Sequence, residues 1–176
     1  MMKKNFLIIS GGTGGHVIPA ENIANYILKK NQNCTLILDK RGYKYINDFK
    51  GKIHIVNSSN LSGNFISKII GLINLIKGFI HSFFIILFLK PTTVISFGSY
   101  ASFFPMLSII LLKPFYNIEI FIHEQNSILG RTNKFFLTFT KKLLLNFDIS
   151  SKIKKKYKDK IHVVGSPHKN SKKFIN

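Results

Sequence analysis

The chain reads as an α/β protein built on a parallel sheet flanked by helices. Short apolar runs alternate with stretches of helical periodicity along its whole length, the pattern of successive strand–helix–strand units. The runs are apolar almost without interruption, as strands covered on both faces must be. The first run ends in a glycine cluster that leads into a helix, the usual ligand-binding corner of such sheets.

The predicted strands are residues 6–10, 35–39, 53–56, 94–97, 118–122, 143–147 and 162–164. The helix after the first strand is the clearest. Ala20, Ile23, Ala24, Ile27 and Leu28 form one apolar stripe at helical spacing. Pro19 is read as the first helical position, Glu21 as an acid in the first turn, and Lys29 and Lys30 as bases in the last, all matching the helix dipole. The stretch from Phe65 to Leu89 is apolar enough to suggest a membrane span. Ser67, Lys68, Gly71, Asn74, Lys77, Gly78, His81 and Ser82 nevertheless recur along one helical face. Its longest uncharged run, 78–89, is shorter than the ~20 residues a span needs. The expectation is a long helix packed on the sheet, with partial burial in a membrane interface as the sharper alternative.

With 176 residues, 45% of them apolar, the chain suffices for one well-buried domain and is thin for two. The expected domain is 1–165, followed by a short basic tail, 166–176. One cysteine, Cys34, excludes a disulfide framework and a Cys-based zinc site. The formal net charge is +19, yet Arg41 and Arg131 are the only arginines among 26 basic residues. A drift toward Lys, Ile and Asn accounts for this as composition bias, and nucleic-acid binding, which favours arginine forks, is not expected. The first apolar run is too short for a signal peptide, so the expected location is cytoplasmic.

Ser10-Gly11-Gly12-Thr13-Gly14-Gly15-His16 joins the first strand to the first helix. Glycines let the backbone turn sharply and approach a ligand, and a helix N-terminus offers free N–H groups to an anion. A diphosphate or a carboxylate fits. The P-loop pattern fails, because His16-Val17 stands where Lys-Ser/Thr is required. The dinucleotide fingerprint fails at Val17, although Asp39 at the end of the second strand keeps a nicotinamide enzyme open as an alternative. His16 stands at the mouth of this loop, in position for a polar catalytic or binding role. A second small-residue turn, Gly98-Ser99-Tyr100, follows the 94–97 strand at the same sheet edge. His123-Glu124-Gln125-Asn126 then closes an apolar strand with four hydrogen-bonding side chains. Buried polar groups are costly unless partnered, so this is either a satisfied network or a site. Glu124 is read as a base or orienting group, and Asn126 as a ligand for sugar hydroxyls. No Asp-x-Asp and no metal-ligand spacing occurs, so no metal and no cofactor is expected.

Three motifs together resemble a known family. Gly11-Gly12-Thr13-Gly14-Gly15-His16-Val17-x-Pro19-Ala20, then Phe97-Gly98-Ser99-Tyr100, then His123-Glu124-Gln125-Asn126-Ser127-x-x-Gly130-x-Thr132-Asn133-Lys134 are similar to the amino-terminal half of the MurG-type N-acetylglucosaminyltransferases of glycosyltransferase family 28. The resemblance implies a GT-B fold, two Rossmann-like domains around a cleft, of which this chain is the first. It implies metal-independent, inverting transfer of N-acetylglucosamine from UDP-N-acetylglucosamine to lipid I, the undecaprenyl-diphosphate-linked muramoyl-pentapeptide, giving lipid II for peptidoglycan. It places the protein peripherally on the cytoplasmic face of the inner membrane, against an anionic surface. Gly11, Gly12, Thr13, Gly14 and Gly15 then cradle the diphosphate, with Thr13, Gly14, Gly15 and Asn126 facing the nucleotide-sugar cleft. His16 and Glu124 match catalytic or acceptor-site positions.

Two departures stand out. Ser99 replaces a glycine usual in the second loop, and Lys169 replaces an arginine that contacts the donor. Family members are also about twice as long, and the missing half holds most donor contacts. The chain alone is therefore expected to be incomplete: a truncated product, or a membrane-associated subunit working with a separate donor-binding chain.

Overall fold

The computed structural model describes residues 3–58 and 64–167. Seven strands form one sheet in the order β3-β2-β1-β4-β5-β6-β7, with every neighbouring pair parallel. The strands are β1 Asn5–Ile9, β2 Asn33–Asp39, β3 Lys52–Val56, β4 Thr93–Ser96, β5 Glu119–Glu124, β6 Lys142–Leu145 and β7 Ile161–Val163. The helices are α1 Gly14–Lys29, α2 Lys40–Tyr43, α3 Phe65–Leu89, α4 Phe103–Leu112 and α5 Arg131–Phe136. All seven predicted strands are present, each within two residues at its start and at its end.

Alternation along the strands divides the core. Ile8 points with Leu36 and Leu38 into a layer closed by Val17, Ala20, Ala24 and Ile27 of α1. Leu7 and Ile9 point the other way, toward Ile85 and Ile86 of α3 and Met106 and Ile109 of α4. Cys34 is buried in the α1 layer, and burial pushes its thiol up to about 12. It behaves as a small hydrophobe. The strand order reverses between β1 and β4, the topological switch point where open α/β sheets bind ligands at the strands' carboxyl ends.

Helix α1 starts five residues earlier than Pro19 suggested, at Gly14. The Thr13 carbonyl accepts from the N–H groups of His16 and Val17 and so begins the ladder inside the glycine cluster. Pro19 lies within the helix and supplies no N–H toward the Gly15 carbonyl. Glu21 is not a first-turn acid. It is buried, and its carboxylate accepts from the backbone N–H groups of Asn47 and Asp48, fastening the loop after α2.

Helix α3 splits its polar stripe, leaving Ser67, Lys68, Lys77 and His81 exposed and burying its small residues. Gly71, Gly78 and Ser82 face the protein, while Ile69, Ile70, Ile73, Ile76, Ile80, Phe84 and Phe88 are exposed. The reason is backbone approach. A Cβ at Gly78 would lie 2.1 Å from the Asn57 carbonyl oxygen, so only glycine lets the helix lie against the end of β3. Ser82 is tolerated there because its hydroxyl donates to the Gly78 carbonyl at 2.7 Å.

Candidate functional site

The three motifs follow β1, β4 and β5, which are adjacent in the sheet and point the same way. Their loops therefore meet at one edge. A cleft of about 300 Å³ opens there, lined by His16, Ser99, Tyr100, Glu124, Asn126, Gly130, Arg131, Thr132 and Asn133.

The first loop is held from β2. The Asp39 carboxylate, almost wholly buried, accepts from Gly12 N–H at 2.9 Å and Gly42 N–H at 2.8 Å through Oδ1. Its Oδ2 accepts from Arg41 Nε and the Ser58 hydroxyl, both at 2.9 Å. Burial works to raise this carboxyl, but the bonds from Gly12, Gly42, Ser58 and Arg41 outweigh it and hold it below the usual range. An acid so occupied is a brace for the glycine loop, and the four bonds engage both of its oxygens within the protein. This removes the observation that kept a ribose-binding role open. Gly12 has φ +79, a backbone state that side chains rarely adopt. Thr13 sits at the N-cap of α1 without a side-chain cap bond. Among the described residues, the Gly14 and Gly15 N–H groups have no acceptor, so the positive end of α1 faces the cleft edge uncapped.

Glu124, almost wholly buried at the end of β5, is saturated. Oε1 accepts from Asn126 N–H and Asn126 Nδ2, each at 3.0 Å. Oε2 accepts from Gly130 N–H and Asn133 Nδ2, each at 2.8 Å. Its four lone-pair directions organise the 126–133 loop. Gly98, with φ +74, sits against Asn133, whose Nδ2 is 2.8 Å from where a Cβ would be.

His16 lies in the first turn of α1. Its Nδ1 is 2.9 Å from the Phe97 carbonyl and 2.7 Å from Gln125 Oε1. His123 is buried and stacks on the Phe97 ring with centroids 5.1 Å apart. Burial pushes its imidazole pKa down, against smaller opposing contributions from Gly165 and Glu124.

The structure thus gathers His16, Ser99, Tyr100, Glu124 and Asn126 into one cleft, with Gly11, Gly12, Thr13, Gly14, Gly15 and Gly98 shaping the loops around it. Lys169 lies outside the described residues. The sequence grouped His123 and Gln125 with Glu124 and Asn126 as a network or a site without giving either an individual role, and it did not mark Asp39 as the brace or Asn133 as a partner of Glu124. The runs His-Glu-Gln-Asn and Thr-Asn-Lys did carry a signal: polar side chains packed against an apolar strand need partners.

The family profile described as the Glycosyltransferase family 28 N-terminal domain matches residues 6–145. The chain belongs to this family. Among similar sequences, the UDP-N-acetylglucosamine–N-acetylmuramyl-(pentapeptide) pyrophosphoryl-undecaprenol N-acetylglucosamine transferase of Rickettsia prowazekii (strain Madrid E) is 36% identical over 163 residues, covering 92% of this chain and 40% of that protein. The protein of the same name from Rickettsia canadensis (strain McKiel) is 33% identical, with 92% and 44% covered. The crystal structure of Acinetobacter baumannii MurG superposes with a TM-score of 0.70 at 25% identity, over 82% of this chain and 42% of that one. A UDP-GlcNAc 2-epimerase from Methanocaldococcus jannaschii shares the fold, with a TM-score of 0.61 at 18% identity, over 92% of this chain and 45% of that one. This family 28 chain spans about two fifths of the length of the sequence relatives named here. Its seven-stranded parallel sheet is the Rossmann-like amino-terminal domain of the GT-B architecture.

Proposed function

We propose that this chain supplies the acceptor-binding half of an inverting N-acetylglucosaminyltransferase that converts lipid I to lipid II, using UDP-N-acetylglucosamine as donor. One observation carries the reading: His16 sits in the first turn of a helix whose neighbouring Gly14 and Gly15 N–H groups have no acceptor, and it lines the cleft with Ser99, Tyr100 and Asn126. The acceptor diphosphate lies on the 11–15 loop, where free N–H groups and the helix dipole favour negative charge. Gly98, Ser99 and Tyr100 flank it from the second loop. On this reading the muramoyl C4 hydroxyl lies at His16. His16 takes the hydroxyl proton as the oxygen bonds to the anomeric carbon; the bond from that carbon to the UDP oxygen breaks, and UDP leaves with the electron pair. Inversion follows from this single displacement. Glu124, with its lone pairs engaged, holds the 126–133 loop in place and so presents Asn126 to the donor sugar. Lys169 is assigned to the donor phosphate side as a point charge without an arginine fork.

A lipid-linked acceptor needs the cleft near a bilayer. Helix α3 offers an exposed apolar face of Ile69, Ile70, Ile73, Ile76 and Ile80, with Lys68 and Lys77 exposed beside it. It is long and apolar enough to cross a membrane, but its buried Gly71, Leu75, Gly78, Ser82, Ile85 and Ile86 tie it to the domain. The reading is peripheral attachment to the cytoplasmic face of the inner membrane, with the lysines drawn to anionic lipid.

Radiolabelled sugar transfer to lipid I tests this with the chain alone and with a donor-domain chain added. Transfer only in the presence of the donor chain, abolished in His16→Ala, is the expected result. Lack of transfer with every donor chain, while lipid I still binds, would leave the second reading: a non-catalytic, membrane-associated subunit or truncated product that anchors a separate donor-binding chain. The short span relative to the full-length relatives favours keeping that reading in the test.

A further inference from the structure

Behind His16 runs a chain of hydrogen bonds whose proton positions are fixed by backbone carbonyls, which can only accept. The Phe97 carbonyl lies 2.9 Å from His16 Nδ1, so that nitrogen carries the proton. Gln125 Oε1, 2.7 Å from the same nitrogen, is a second acceptor. The amide orientation of Gln125 is set independently, because its Nε2 lies 2.8 Å from the His123 carbonyl. The other Nε2 hydrogen points to His123 Nδ1 at 3.1 Å, which must therefore be the bare nitrogen. The His123 proton then sits on Nε2, where it donates to the Gly165 carbonyl at 3.1 Å. Each assignment agrees with the next, and none is free to reverse alone.

We propose that Gln125 and His123 are positioning residues that lock His16 as its Nδ1–H tautomer, with the Nε2 lone pair presented to the hydroxyl that the cleft receives. The proposal rests on reading His16 as the base. Free histidine side chains favour the opposite, Nε2–H tautomer, in which the nitrogen facing the cleft would be a donor and could not take a proton. The relay corrects this. When His16 accepts the hydroxyl proton on Nε2, its Nδ1–H keeps two acceptors, Phe97 O and Gln125 Oε1, facing the new positive charge. Gln125 is in turn held by His123. That ring is kept neutral by burial and held in orientation by its stack on Phe97 and its bond to Gly165. Gln125 is 9% exposed and His123 1% exposed, so neither is placed to bind substrate directly. Their effect runs through His16.

Long-range nitrogen–proton correlation spectra of the chain labelled with nitrogen-15 histidine, recorded at neutral pH without substrate, read the tautomers directly. The expected spectrum shows His16 as Nδ1–H and His123 as Nε2–H. In Gln125→Ala, His16 loses one of its two acceptors and shifts to a mixture of tautomers. In Gln125→Glu, which keeps the acceptor but cannot donate, His16 stays Nδ1–H while His123 gains a proton on Nδ1. This second variant preserves the volume and serves if the alanine variant does not fold. His16 as Nε2–H in the parent chain would overturn the proposal, as would tautomers unchanged in both variants. Sugar transfer measured with a donor chain adds the kinetic side: Gln125→Ala is expected to lower kcat about tenfold with little change in KM, the cost of a misaligned base. Because the spectra need no substrate, a failed transfer assay and a failed relay are separate results.

Discussion

Ser99 stands in a backbone state reserved in practice for glycine. Its φ is +76 and its ψ 162, the extended left-handed region where a Cβ is strained by about 1–3 kcal/mol. Its hydroxyl is buried and, among the described residues, has no hydrogen-bond partner, which adds about 1–3 kcal/mol of unrecovered desolvation on the scale of mutational data. Replacing Ser99 by glycine removes both. It also loosens the unfolded chain, which offsets about 0.4–1 kcal/mol of the gain. Taking the lower half of each range, Ser99→Gly should stabilise the fold by about 2 kcal/mol. For a chain of this size that is a rise in Tm of about 4–8 °C. Thermal unfolding followed by circular dichroism, with Ser99→Ala alongside, is the assay. The alanine variant removes the hydroxyl and keeps the strain, so it should rise by less than the glycine variant. A Tm for Ser99→Gly at or below that of the parent would refute the reasoning, since it would mean the side chain makes a stabilising contact that outweighs the strain.

Three further outcomes follow from the packing and charges. On an exposed helix, Gly→Ala gains about 1 kcal/mol, but at Gly78 the added Cβ would meet the Asn57 carbonyl at 2.1 Å. Gly78→Ala should therefore lower stability by about 1–3 kcal/mol, and a raised Tm would show that α3 does not lie against β3 in this way. Asp39→Asn should cost about 2–3 kcal/mol in urea unfolding at pH 7, by weakening charge-assisted bonds to Gly12, Gly42, Ser58 and Arg41. Because the folded carboxyl of Asp39 is held below its unfolded value, its contribution is full above the unfolded pKa near 4 and is lost as pH falls through the folded one. The variant's stability should then fall less steeply than the parent's in that acid window. Lys68→Gln combined with Lys77→Gln should weaken co-sedimentation with anionic vesicles by about 30-fold, from ~1 kcal/mol per lysine near the surface, and leave binding to neutral vesicles unchanged.

The sheet was legible because its strands are buried on both faces. Residues 36–38 and 120–122 are apolar without a polar break, with Asp39 and Glu119 beside them at strand ends, and no amphipathic alternation competes with that reading. Helix α1 was misplaced at its start for a local reason. Pro19 and Glu21 carry the signals of a first turn, but here the ladder begins on the Thr13 carbonyl, six residues upstream of Pro19. Glu21 has been recruited by Asn47 and Asp48. A partner twenty-six residues away leaves no mark on helical periodicity. The face of α3 was hidden by the same kind of ambiguity. A stripe of glycine and serine has one spacing whether it faces water or another backbone, and the contact with Asn57 decides between them.

At the candidate site the sequence displayed residue types, and the fold assigned their work. His16 and Glu124 both looked able to take a proton. The backbone separates them physically: the β5 end and its following loop surround Glu124 with four donors, whereas both described contacts of His16 are on Nδ1. A carboxylate that already accepts four hydrogen bonds has no lone-pair direction open to a substrate hydroxyl. An imidazole held by one nitrogen keeps the other for chemistry. Neither fact is present in the order His-Glu-Gln-Asn, since alternation on a strand only says that His123 and Gln125 share a side and Glu124 takes the other. It needs β1, β4 and β5 placed side by side, so that the Phe97 carbonyl at the end of one strand, Gln125 at the end of the next, and the first turn of α1 close on a single ring.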